Sequence, residues 1–161
     1  MAVAVTQAPN AGGPLANSFP SDVESGGTIR AVTAVKATRV ITNEGAPTSL
    51  ATAGAATYTI AQLLTGIIVR DCAGASRTDV LPTAELAVAG LAGVKVGDVI
   101  RCYIINGSDA AETITIDAGT GGGYETNQTA TSRVIGQNTS KMLHLRFTVV
   151  TAGSEAYVAY L

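Results

Sequence analysis

Histidine, cysteine and tryptophan are nearly missing from this 161-residue chain, which has one His, two Cys and no Trp. Nucleophilic catalysis normally sets a base, most often His, beside a Ser or Cys. The single histidine, His144, lies on the less apolar side of an alternating stretch, next to Arg146. A surface or structural role therefore fits His144 better than catalysis. We predict no catalytic residues, and we predict that the protein is not an enzyme.

The two cysteines, Cys72 and Cys102, are too few and too far apart for a disulfide framework or a C-x-x-C metal motif. We expect two reduced thiols, no metal site and no bound cofactor. The glycine run 121–123 differs from a phosphate-binding loop, because Tyr124 and Glu125 follow it where that loop has Lys and Ser or Thr.

Charged residues are also scarce, at 14% of the chain, and the formal net charge is −2. Nucleic acid is not expected as a partner, because its phosphates are normally met by clustered Lys and Arg. Soluble domains average about a quarter charged residues, so part of this surface is expected to be covered by partner subunits. The first residues lack the pattern of a secretion signal, and no run has the length of a membrane span, so we expect neither secretion nor a membrane.

Small residues are abundant: the chain has 18 Gly and many Ala and Thr. This composition and the chain length predict one all-β domain of short strands, a sandwich or a barrel. One or two short helices are predicted within it. Thr59 and Gln62 have the spacing of a capping box before a first helix, which Gly66 would end. A second helix is predicted from Thr83 to about residue 89, with Leu86 facing inward.

The stretch 94–117, VKVGDVIRCYIINGSDAAETITID, predicts a β-hairpin. Two apolar runs flank Asn106-Gly107, a dipeptide that supplies the φ > 0 residues of tight hairpin turns. In the second run Ile114 and Ile116 alternate with polar residues, so one face of that strand is expected to be buried. Further strands are predicted at 67–69, 132–137, 141–151 and 156–161. One alternating set in the stretch 141–151 is predicted to be core: Leu143, Leu145, Phe147 and Val149.

Residues 1–56 differ in composition from the main domain, which is predicted to span 57–161. The first 27 residues are rich in Ala, Gly, Pro, Asn and Ser, which predicts an extended N-terminal arm that packs on a neighbour or along its own domain. One or two exposed edge strands are predicted at 28–43, and 43–56 reads as a linker. Three basic residues of the edge strands face either solvent or an acidic partner: Arg30, Lys36 and Arg39.

A polar loop is predicted at 70–79, with charged residues of both signs at its ends. Their charges would form an ion pair within the loop or between subunits, and a structural role is favoured over a binding site. Together with the three basic residues of the edge strands, four residues of this loop are the candidate interface: Arg70, Asp71, Arg77 and Asp79.

From Tyr58 onward the sequence resembles small β-sandwich virion proteins of tailed bacteriophages, of the head decoration (cement) type. The strings that carry the resemblance are IVRD at 68–71, SRTD at 76–79, LPT at 81–83, GD at 97–98, AET at 111–113 and TAGSEA at 151–156.

The resemblance implies a jelly-roll-like β-sandwich, commonly a homotrimer, bound to the outside of an icosahedral capsid. Such a decoration protein, made in the host cytoplasm, stabilises the virion by bridging subunits of the major capsid protein. This role needs contact area and no chemistry. An alternative from a different class is a tail-fibre or receptor-binding virion module that recognises a host surface glycan or protein.

Overall fold

The computed structural model describes residues 46–161, which form a β-rich fold with two sheets and two short helices. The strands are Thr48–Ala51 (β1), Ile67–Asp71 (β2), Arg77–Val80 (β3), Val99–Asn106 (β4), Ile114–Asp117 (β5), Gly122–Tyr124 (β6), Val134–Ile135 (β7), Ser140–Val149 (β8) and Ala156–Tyr160 (β9). The helices are Ile60–Leu64 (α1) and Ala84–Ala89 (α2), and a 3₁₀ turn spans Thr131–Arg133. The all-β prediction is confirmed at this level.

Both sheets are mixed. The larger one has six strands in the order β1-β2-β4-β8-β9-β6, and its centre, β4-β8-β9, is antiparallel. Its outer pairs, β1-β2, β2-β4 and β9-β6, are parallel. In the smaller sheet, β3-β5-β7, the first pair is parallel and the second antiparallel.

One hydrophobic core joins strands of both sheets and both helices. The strand alternation places its members as the sequence predicts, because successive side chains of a strand point to opposite faces. Ile114 and Ile116 are fully buried on β5, and Leu143, Leu145 and Phe147 are fully buried on β8.

Strand β9 begins at its predicted residue. The prediction that Val149 is core is wrong, because Val149 is half-buried and follows a register shift in the β8-β9 pairing. The strand predicted at 132–137 is only Val134–Ile135, after a 3₁₀ turn.

The predicted hairpin is wrong. Strands β4 and β5 belong to different sheets, and the chain crosses between the sheets after Asn106. Gly107 does not adopt a positive φ, and its N–H donates to the Arg70 carbonyl at 2.9 Å, which continues the β2-β4 ladder. The Asn106 side chain is buried and donates to the carbonyls of Glu112 and Ile135, at 2.9 and 3.1 Å. Asn106 thus links the two sheets, and no hairpin joins β4 to β5.

The first helix follows its sequence signals. Thr59 Oγ1 accepts from the Gln62 N–H, Gln62 Oε1 accepts from the Thr59 N–H, and Gly66 follows the helix with φ of 77°. The second helix also begins after its predicted cap, Thr83.

The prediction that Leu86 faces inward is wrong, because Leu86 is 61% exposed. The buried residues of α2 are Ala84 and Ala87. A Cβ on Gly90 would lie 2.2 Å from a methyl carbon of Ile60, so the end of α2 lies very close to α1. The close approach to Ile60 leaves no room for a side chain at Gly90.

Two segments predicted to be irregular contain strands. Residues 48–51, read as linker, pair in parallel with β2 as the edge strand β1. The ends of the predicted loop at 70–79 are strand residues, because Arg70 belongs to β2 and Asp79 to β3. Their side chains face inward and pair with each other.

The N-terminal arm and the strands predicted at 28–43 lie outside the described residues. The same holds for three candidate interface residues: Arg30, Lys36 and Arg39. The division between an arm and a main domain stays a prediction.

A glycine of the β5-β6 connection provides a test of the packing. A Cβ on Gly119 would lie 2.5 Å from the Leu81 carbonyl oxygen and 2.6 Å from that of Pro82. Gly119→Ala should therefore lower the free energy of unfolding by about 1–3 kcal/mol, measured by urea denaturation. Gly123→Ala is the matched control, because a Cβ there meets no atom within 4 Å. Equal stability of the two variants would contradict this packing.

Candidate functional site

The most strongly polar region inside the fold is the ion pair between Arg70 on β2 and Asp79 on β3. Both side chains are completely buried, and Arg70 Nε lies 2.8 Å from Asp79 Oδ2. Arg70 Nη2 also donates to Asp79 Oδ1 at 3.3 Å, so the pair is bidentate. The pair joins the two sheets, because β2 and β3 belong to different sheets.

Every donor of the Arg70 guanidinium has an acceptor. Besides Asp79, the acceptors are the carbonyls of Thr52 at 3.0 Å, Gly54 at 2.6 Å and Asp71. These bonds fix the segment that follows β1 against β2. A buried arginine is tolerable only when its five N–H groups and its charge are matched in this way.

Asp79 is equally well matched. Its Oδ1 accepts from the Ala56 N–H at 2.7 Å, and its Oδ2 accepts from the Tyr58 hydroxyl at 2.9 Å. Burial alone would lower the pKa of Arg70, but the hydrogen bond and charge of Asp79 outweigh it and raise that pKa. Burial, then the Asp79 charge and hydrogen bond, raise the pKa of Tyr58 far above its usual range.

Arg70 and Asp79 therefore offer no side-chain surface to a partner, and they form the ion pair within the loop that the sequence left open as one alternative. The other two candidates of this region, Asp71 and Arg77, are half-buried. Their role in an interface stays a prediction. Asp71 lies beside the carboxylates of Asp109 and Glu112.

A groove of about 400 Å³ lies on the outer face of the six-stranded sheet. Its lining comes from β4, β8, β9 and the residue after β9: Val99, Arg101, Met142, His144, Arg146, Tyr160 and Leu161. The strand register brings these residues together, because Arg101 pairs with His144, Val99 with Arg146, and His144 with Tyr160.

The groove and its surroundings carry cationic and aromatic groups. Arg101 and Arg146 are exposed, and Tyr103, further along the same face of β4, is 45% exposed. Within residues 46–161, no Asp or Glu side chain lines the groove. This face is therefore suited to contact an acidic surface or an acidic small ligand.

Arg101, Tyr103 and Val99 were not predicted from the sequence to share one face. The alternation of the run 99–105 was the available signal, since it places these three opposite Cys102 and Ile104. That run alone does not show that its polar side adjoins the polar side of β8, which is 40 residues further along the chain.

Both cysteines are free and buried. Burial raises the pKa of Cys102 to about 11, although a backbone hydrogen bond from Ile68 acts in the opposite direction. Cys102 points into the core, whereas His144 lies on the outer face of the same sheet. The two side chains are therefore not placed to act as a nucleophile and its base.

Neither helix found within residues 46–161 is long and apolar enough to cross a membrane. Comparisons of the chain with protein-family models, with curated proteins and with solved structures found no match.

Removing one partner of the buried ion pair should be costly. Asp79→Ala leaves the Arg70 charge buried and unpaired, and we expect a loss of about 3–5 kcal/mol in the free energy of unfolding. Asp117→Ala is the control, because it breaks the half-exposed pair with Arg133 and should cost less than about 1 kcal/mol. Urea denaturation of both variants measures the difference. A small loss in Asp79→Ala would contradict the structural role.

Stability should fall at alkaline pH. Burial raises the pKa of Cys102 from 9.0 to about 11 and that of Tyr157 from 10.0 to about 12. The folded state thus holds these protons more tightly than the unfolded state does. The contribution of these two protonated groups to the free energy of unfolding is complete below pH 9 and is lost as the pH rises from 9 to 12. Urea denaturation at pH 8 to 11 should show this decline.

The variant Cys102→Ala distinguishes the contribution of the thiol to the alkaline loss of stability from that of the tyrosines. This variant should show a shallower decline between pH 9 and 10, where the thiol of the unfolded wild type ionises first. An unchanged slope in the variant would contradict the assignment to Cys102.

Proposed function

We propose that this protein is a head decoration protein of a tailed bacteriophage, which binds the capsid exterior and bridges subunits of the major capsid protein. The observation that carries the proposal is the exposed cationic and aromatic outer face of the six-stranded sheet. The resemblance of the sequence to small virion proteins supplies the biological context.

The outer face has the composition of a contact surface. Arginine and tyrosine are enriched where protein interfaces bind most strongly, and this face presents Arg101, Arg146 and Tyr103. These residues stand on the antiparallel centre of the sheet, which holds them in fixed positions. Their charge favours an acidic patch on the capsid.

Bridging stabilises a shell by mass action. A protein that binds the assembled lattice, and not free subunits, shifts the equilibrium toward the assembled state. Each contact needs only modest affinity when many copies bind one particle. No reacting group takes part in this role.

The jelly roll and the homotrimer implied by the resemblance stay predictions. The antiparallel order β4-β8-β9 agrees with a jelly roll, whereas the parallel pairs depart from its antiparallel pattern. Self-association agrees with the low content of charged residues, because subunit contacts would cover part of the surface.

A second candidate is the receptor-binding virion module. The groove of about 400 Å³ lies within the size range of small-ligand sites, roughly 300–1,000 Å³. Its Arg, His and Tyr side chains would suit an acidic host glycan. This function predicts few copies per particle and binding of the isolated protein to host cells.

Titration of the full chain onto capsids that lack it tests both candidates. We expect saturation near one copy per major capsid protein, measured by quantitative mass spectrometry of sedimented particles, and a higher rupture temperature of the decorated capsids. The double variant Arg101→Glu/Arg146→Glu should lose at least about tenfold in capsid affinity, because it reverses two charges of the face. Lys95→Glu is the control, because Lys95 is exposed outside the groove lining.

A handful of copies per particle would instead favour the receptor-binding module. Equal affinity of the double variant and the control would show that the outer face is not the capsid contact. Decorated and bare capsids that rupture at the same temperature would contradict the stabilising role.

A further inference from the structure

Three carboxylates converge where strand β2 ends and the chain crosses from β4 to β5. One oxygen from each of Asp71, Asp109 and Glu112 lies within 4.8 Å of the other two. Both ion pairs formed within residues 46–161 use other carboxylates, those of Asp79 and Asp117. Three carboxyl groups are therefore held close together, and no Lys or Arg of the described chain forms an ion pair with them.

Glu112 provides a second, independent observation. Only 5% of this residue is exposed, and both carboxylate oxygens are buried without a hydrogen-bond partner among the described residues. A buried carboxylate is normally paired with a cation or accepts several hydrogen bonds, because its desolvation is otherwise very costly. Glu112 has neither, and one of its oxygens faces the two aspartates.

The backbone around the carboxylates is tied down by hydrogen bonds. Ser108 Oγ accepts from the Cys72 N–H at 3.0 Å, and Ser76 Oγ accepts from the Thr113 N–H at 2.9 Å. These two bonds join the β2-β3 loop to the β4-β5 connection on either side of the cluster. Asn106 Nδ2 in addition donates to the Glu112 carbonyl at 2.9 Å. The cluster is thus assembled by a fixed framework and not by chance contact of mobile side chains.

We propose that Asp71, Asp109 and Glu112 bind a calcium ion. The donors are all carboxylate oxygens, which are the ligands of hard cations, whereas soft metals prefer Cys and His. Ca–O distances of about 2.3–2.6 Å allow ligand oxygens to lie up to about 5 Å apart across one ion. The three oxygens all lie within 4.8 Å of one another, so one ion can reach all of them. Ca²⁺ accepts several protein carboxylates in flexible geometry, whereas Mg²⁺ usually keeps several waters and binds only one or two carboxylates.

The exposure of the three residues suits such a site. Glu112 is buried and supplies the inner ligand, Asp71 is half-buried, and Asp109 is exposed at the opening. Water completes the six to eight oxygen ligands of Ca²⁺ on the open side. The bound ion would cancel the repulsion among the carboxylates and would fasten the β2-β3 loop to the connection between the two sheets.

Calorimetry and thermal unfolding of the full chain, freed of metal with EDTA, test the proposal. We expect saturable binding of one Ca²⁺ per chain in isothermal titration calorimetry. At 5 mM CaCl₂ the midpoint of thermal unfolding should rise by about 5 °C or more above its value in EDTA. MgCl₂ at the same concentration should raise it less.

Two variants at the cluster assign the effect to these residues. Glu112→Gln should abolish the calcium-dependent rise, and in EDTA it should be at least as stable as the wild type, because one buried charge is removed. Asp109→Asn should weaken calcium binding at least about tenfold with little effect on folding, since Asp109 is exposed. Glu85→Gln, on the exposed side of α2, is the matched control and should bind calcium as the wild type does.

Absence of calorimetric binding, together with the same unfolding midpoint in CaCl₂ and EDTA, would overturn the proposal. A calcium effect that persists unchanged in Asp109→Asn would also overturn it, because the ion would then bind elsewhere. The Asp109 variant keeps the test decisive even if Glu112→Gln does not fold.

Discussion

The buried ion pair between Arg70 and Asp79 is the contact on which the arrangement of the two sheets depends. It joins β2 of the larger sheet to β3 of the smaller one, and the same guanidinium holds the carbonyls of the segment after β1. Tyr58, at the start of the α1 region, hydrogen-bonds to the same carboxylate. Charges in a protein interior are stable only with full matching, and this requirement specifies one relative position for these segments.

The sheets joined by this pair have two different sides. The inner side is an apolar core that includes Tyr58, Phe147 and Tyr157, whereas the outer side of β4, β8 and β9 carries Arg101, His144 and Arg146. The core accounts for the high hydrophobic content, and the outer side supplies the surface on which the proposed contact with a capsid rests. The calcium site proposed for Glu112 and its neighbours lies at the crossing between the sheets, away from the residues that line the groove.

Several features could be predicted from the sequence because they depend on neighbours within a few residues. The capping box of Thr59 and Gln62 involves residues three apart, and the burial of Ile114 and Ile116 follows from strand alternation. The hairpin predicted at Asn106-Gly107 does not form because of contacts with other parts of the chain. The Asn106 side chain donates hydrogen bonds to the carbonyls of Glu112 and Ile135, and these contacts override the hairpin preference of the dipeptide.

The sequence by itself therefore determined the capped start of α1, the apolar side of β5 and of most of β8, and that the fold is β-rich. Only the tertiary structure decided which strands are neighbours, that Arg70 and Asp79 are buried partners, and that Asp71 meets Asp109 and Glu112. The physical reason is the distance along the chain between the residues that interact. Local patterns act through adjacent side chains, whereas these meetings require the parallel pairing of β2 with β4 and the crossing of the chain from one sheet to the other.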